Sequence, residues 1–114
     1  MKKILPKEVW YAECPFEEID GSKDRPVIVI RVNDATCAVL SMKVTSTEPY
    51  SEFEIELFDW EKIPLNHKST ADASQVMFIA KEQFRRKIGR LSDDDWENVT
   101  DLYGRYLRSI GRAE

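Results

Sequence analysis

Apolar residues follow two rhythms along this chain. Through about the first two thirds they alternate with polar residues or gather in short blocks rich in Val, Ile and aromatic side chains, which is the pattern of strands. Glu8 to Cys14 predicts a first strand, ended by Cys14-Pro15-Phe16 and an acidic loop that runs through Gly21 to Asp24. Pro26 to Val32 predicts a second. Its unbroken run Val27-Ile28-Val29-Ile30 predicts burial on both faces. The pair Asn33-Asp34 reads as a turn, and Cys37 to Val44 as the next strand. Phe53, Ile55 and Leu57 alternate with Glu52, Glu54 and Glu56, which predicts a half-buried strand with an acidic outer face. Gln75 to Ile79 predicts a last short strand. The rhythm then changes. Trp96, Val99, Leu102, Tyr103, Tyr106, Leu107 and Ile110 form one stripe at helical spacing. Ser92 is placed to cap that helix, with Asp93, Asp94 and Asp95 in its first turn and Arg105, Arg108 and Arg112 toward its far end, the order that the helix dipole favours. The expected architecture is mainly β (α+β): antiparallel strands forming a barrel or a curled sheet, with one C-terminal amphipathic helix.

Length and composition narrow the class. At 114 residues the chain is one domain, 1–114, and 42% hydrophobic residues suffice for a core. Seventeen basic residues against 21 acidic ones give a net charge of -4, which disfavours non-specific coating of nucleic acid by bulk charge. The apolar run 27–30 is far too short to span a bilayer, so no membrane partner is expected. Met1-Lys2-Lys3 meets Pro6-Lys7-Glu8 without an apolar segment between, so no signal peptide is expected and the reading is cytoplasmic. Cys14 and Cys37 then read as reduced thiols, and two Cys with one His, His67, are too few for a structural zinc site; no metal or other cofactor is expected.

Charge is unevenly distributed. Segment 48–61 carries Glu48, Glu52, Glu54, Glu56, Asp59 and Glu61 with no Lys or Arg, whereas 81–90 carries Lys81, Arg85, Arg86, Lys87 and Arg90 against Glu82 alone. The basic segment suits either a solvated sheet edge protected from further pairing or an anion-binding face; the edge is the simpler reading. Arg25 stands immediately before Pro26 and the apolar strand, where proline restricts the backbone of both residues. A guanidinium so held can grip a phosphate through parallel hydrogen bonds. The following strand ends in the hydroxyl run Thr45-Ser46-Thr47. The start of one antiparallel strand lies beside the end of its neighbour, so Arg25 and these hydroxyls can meet at one site. The alternatives are a surface ion pair of Arg25 with Asp24 or Asp20, and turn capping by the hydroxyls before Pro49.

Five segments in order resemble the MazF/PemK toxins of bacterial toxin–antitoxin pairs. They are Glu8-Val9-Trp10-Tyr11, the loop and strand Gly21-Ser22-Lys23-Asp24-Arg25-Pro26-Val27-Ile28-Val29-Ile30, the strand end Val44-Thr45-Ser46, the spacing of Ser69, Gln75, Ile79 and Lys81, and Lys87-Ile88-Gly89-Arg90-Leu91-Ser92. The resemblance implies an SH3-like twisted antiparallel barrel with a C-terminal helix, working as a homodimer. It implies metal-independent, sequence-specific endoribonuclease activity on single-stranded RNA, in which the 2′-hydroxyl attacks and leaves a 2′,3′-cyclic phosphate. It also implies a cognate antitoxin protein as partner. Carried over position by position, Arg25 and Thr45 are the expected catalytic residues, and Lys23, Ser46, Thr47 and Gln75 the expected RNA contacts. Trp10, Phe16 and Trp60 are candidates for base stacking, each with a core role as the simpler reading. The chain departs from the family pattern in its shortened loop, in Ser74 and Met77, and in Asp72 where some members carry arginine. These departures, with the acidic strand, support a second reading, a MazF-fold protein that has lost catalysis but still binds an antitoxin or another protein target. They also leave the general base unassigned.

Overall fold

The computed structural model describes residues 3–14, 23–63, 65 and 68–112. Among the described residues six strands and one α-helix follow in chain order: β1 (Glu8–Cys14), β2 (Lys23–Asn33), β3 (Ala38–Thr45), β4 (Glu54–Glu56), β5 (Thr70–Ala80), β6 (Phe84–Arg90) and α1 (Asp93–Ser109). The strands form one sheet in the order β4-β5-β3-β2-β1-β6, with every pairing antiparallel. The expected mainly β fold with a C-terminal helix is therefore present, and no pairing that closes it into a barrel is seen among the described residues. β4 and β6 are the two ends of the sheet, and the described strands do not pair across them. Helix α1 packs against β5 and β4 instead. The molecule is nearly isotropic, 34 × 33 × 32 Å, as a sheet curled round its own core must be.

The curl produces two apolar clusters, one on each side of β2. Ile28 joins Val9, Met42, Val44, Leu57, Ile63, Ala71, Ile88, Val99 and Leu102 on the helix side. Val27 and Val29 join Ile4, Trp10, Ala12, Cys14, Val39, Ile79 and Phe84 on the other. Successive strand side chains point to opposite faces, so a continuous apolar run is what a strand between two cores requires. Val27, Ile28 and Val29 are fully buried. Trp10 belongs to this second core: it is 6% exposed and meets Phe84 edge to face at 5.9 Å. It offers no stacking platform. Trp60 is half-buried against the helix-side core, and Phe16 lies outside the described residues.

Two strands differ from their sequence patterns. β5 begins at Thr70, not Gln75. Its first part, 70–72, is sandwiched between β3 and β4, and its register against β3 breaks between Val76, opposite Met42, and Asp72, opposite Lys43. Residues 73–75 have no partner on β3 there, which hides the strand period of the small, polar sequence before them. β6 has no alternating pattern at all, because only Phe84 and Ile88 of its side chains are buried apolar groups. It is a strand because it pairs with β1 from Glu8↔Arg90 to Ala12↔Phe84. Helix α1 follows its sequence signals closely. Ser92 Oγ accepts the Asp95 amide, and Gly111, at φ 81°, closes the far end with Gly111 N–H to Arg108 O and Arg112 N–H to Leu107 O.

Candidate active site

The strand register determines where Arg25 goes. β2 and β3 pair through Ile28↔Met42 and Val27↔Lys43. Two residues beyond that last pair, Arg25 on β2 and Thr45 on β3 come level with each other at one end of the sheet. Side chains alternate along both strands, so Arg25, Val27, Lys43 and Thr45 share one face, the face away from Ile28, Met42, Val44 and the helix. A cavity of about 280 Å³ opens there, lined by Arg25, Pro26, Lys43, Val44, Thr45, Ser46, Thr47 and Ser69. Strand β1 supports it from beside, since Ala12 is the cross-strand partner of Arg25. Proline at 26 restricts the backbone on the cavity rim, and the buried Val27 beyond it anchors the strand.

The hydroxyl run is ordered locally. Thr45 Oγ1 accepts the Thr47 amide at 3.2 Å and lies 3.2 Å from Thr47 Oγ1, a turn closed by the side chain itself. The capping role and the cavity-lining role of these residues therefore coexist. Ser46 and Thr47 are exposed, whereas Ser69, which adjoins β5, is buried. Among the described residues the cavity wall thus has two cationic side chains, four hydroxyls and no carboxylate. That set can bind and stabilise an anion.

The other expected site residues are placed as follows. Lys23 opens β2, and its side chain lies outside what the structure describes, as do Asp20, Gly21, Ser22 and His67 entirely. Gln75 is exposed at the register break in β5 and does not line the cavity. Asp24 lies 3.5 Å from Arg85 Nε and is likewise absent from the cavity wall. Sequence reasoning passed over Lys43 and gave Ser69 no role at the site. A signal for Lys43 exists: it precedes Thr45 by two positions on the same strand, the spacing that places side chains on one face.

The basic segment 81–90 is a separate feature. Most of it is edge strand β6, and three of its cations meet side chains of β1, while Lys81 pairs with Asp34 at 2.7 Å. Arg85 Nη2 reaches Glu13 Oε1 at 2.5 Å, Lys87 Nζ reaches Glu8 Oε2 at 2.9 Å, and the Arg86 guanidinium lies 4.8 Å from the centre of the Tyr11 ring. Buried Glu8 also accepts Leu5 N–H and Trp10 Nε1–H through Oε1. Burial opposes its ionisation, but those two hydrogen bonds and the Lys87 ammonium prevail, and its carboxyl lies below the ordinary range.

Residues 6–102 match the model of the family described as the PemK-like, MazF-like toxin of type II toxin–antitoxin systems. The chain belongs to this family. No curated protein matches it. Among solved structures, a mycobacterial endoribonuclease in complex with its cognate antitoxin superposes with a TM-score of 0.75 at 14% identity, over 93% of this chain and 96% of that one. The Mycobacterium tuberculosis toxin MazF-mt6 gives 0.71 at 17% identity, over 89% and 96%. MazF of a MazE–MazF crystal from Deinococcus radiodurans gives 0.72 at 18% identity, over 90% and 94%. At such identities the likeness is one of fold, and the strand order and terminal helix described above are this MazF-like fold. Among the described residues no helix is long and apolar enough to cross a membrane.

Proposed function

We propose that this MazF-like toxin is a metal-independent, sequence-specific endoribonuclease that cuts single-stranded RNA at the Arg25 cavity. The observation that carries the reading is the convergence of Arg25 with Thr45, Ser46 and Thr47 on one cavity from two neighbouring strands. In the reaction the 2′-hydroxyl loses its proton and its oxygen bonds to the adjacent phosphorus. The P–O5′ bond then breaks, and the 5′-oxygen takes up a proton as it leaves. The products are a 2′,3′-cyclic phosphate and a 5′-hydroxyl, with no co-reactant consumed. Negative charge accumulates on the phosphorane, where Arg25 offers two parallel N–H donors and Thr45 one O–H donor. Exposed Ser46 and Thr47 meet the RNA backbone and base edges in this reading, and Lys23 and Gln75 make further contacts with the strand beyond the cavity. The protein works in the cytoplasm as a homodimer, and a cognate antitoxin restrains it.

The test uses purified protein, a long single-stranded RNA and excess EDTA, with Arg25→Ala in parallel and the cut ends mapped by sequencing. Discrete cuts that disappear in the variant are the expected result, and they reveal the recognised sequence. A folded, dimeric protein that leaves several RNAs intact would overturn the reading and favour a binding module on the toxin fold.

A further inference from the structure

We infer that Lys43 is a second phosphate-binding cation of this cavity, so that the reacting phosphate is gripped from β2 and β3 together. The inference rests on the ribonuclease reading and adds to it a residue that no motif of the sequence singles out.

The placement is a matter of register. Lys43 is the cross-strand partner of Val27, two residues from Arg25 along β2 and two from Thr45 along β3. Diagonal neighbours of this kind in adjacent antiparallel strands are about 7–8 Å apart, within the reach of two long side chains aimed at one group. Both side chains are on the sheet face away from the helix, and both line the 280 Å³ cavity. Lys43 is half-buried there. A lysine can hold its aliphatic stem along such a wall and present its ammonium to the opening.

The chemistry asks for such a group. A phosphodiester carries one negative charge and its phosphorane two. A guanidinium meets two oxygens in one plane, and an ammonium adds a compact point charge from another direction. Fixed charges aimed at the developing charge stabilise it without the reorganisation that solvent dipoles require. Lys43 forms no bond and passes no proton in this role.

The experiment compares wild type, Lys43→Met, Lys43→Arg and Arg25→Ala in two assays. The first is single-turnover cleavage of RNA. The second is the salt dependence of binding to a mixed-sequence single-stranded DNA oligonucleotide, which lacks the attacking 2′-hydroxyl. Lys43→Met is expected to slow cleavage by tenfold or more, and to reduce the slope of log affinity against log salt by about 0.7, the loss of one phosphate contact. Lys43→Arg is expected to restore both. A merely structural lysine would leave the slope unchanged. Lys43→Met with a wild-type slope overturns the proposal, whatever its cleavage rate. A reduced slope with wild-type cleavage overturns it too, because the contact is then not at the reacting phosphate. If wild type binds but does not cut, the ribonuclease reading falls, and a reduced Lys43→Met slope still supports the two-cation site. If wild type neither binds nor cuts, both fall.

Discussion

Arg25 was readable in the sequence because its neighbours restrict it. Pro26 limits the backbone on either side of the bond that joins them, and the apolar run beyond anchors the strand. If it grips the phosphate, Arg25→Ala loses at least about a hundredfold in cleavage rate, and Arg25→Lys recovers little, because the planar pair of donors is gone. Thr45→Val keeps shape and β-branching but removes both the donor and the acceptor of the Thr47 amide; a loss on the order of tenfold or more is expected in the same assay. Glu8 was not readable as a special residue, since it begins an ordinary strand in the sequence. In the structure its carboxylate holds the buried Trp10 indole and the Lys87 ammonium together. Glu8→Ala leaves Trp10 Nε1 without that partner and is expected to cost about 2 kcal/mol in denaturant unfolding. The folded carboxyl lies below its ordinary value of 4.5, so its contribution to stability is present above that pH. The contribution is lost as pH falls through the lower, folded value. The stability gap between wild type and Glu8→Gln should therefore narrow on acidification from about pH 6 to pH 3.

At the scale of elements, local signals succeeded where the backbone satisfies itself and failed where a neighbour was needed. Helix α1 carries its own start, stripe and stop. Ser92→Ala is expected to cost about 1 kcal/mol, measured by thermal or chemical unfolding, because the Asp95 amide loses its cap. One of its three leading acids does more than complement the dipole. Asp95 is buried, and its two carboxylate oxygens each accept a backbone amide, from Phe58 and Asp59, both at 2.9 Å. It ties the helix start to the segment after β4. Nothing local announces that, because its partners are 36 and 37 residues away. β6 was missed for the same reason. Its sequence reads as a cluster of cations, and only the acids and Tyr11 of β1 make it a strand with a partnered face.

For the whole molecule, sheet order decides what the site contains. The homodimer proposed here predicts a mass by light scattering of about twice the 13.3 kDa chain at micromolar concentration. A monomer there would count against it. Phe78, 54% exposed on β5, and Leu5, Tyr50, Phe58 and Ile110 are large apolar side chains that the single chain leaves open to solvent. By itself the sequence determined the strands with alternating or continuous apolar runs, the helix with its N-cap, the Arg-Pro strand start and the hydroxyl-rich strand end. Each depends on residues within a few positions of one another, where propensity and periodicity act directly. The tertiary structure alone decided the sheet order, the break in register before Gln75, and the engagement of Arg85, Arg86 and Lys87 by β1. It also decided the arrival of Lys43 beside Arg25. These depend on register between strands distant in the chain, and a shift of one residue would have turned Lys43 and Thr45 to the opposite face.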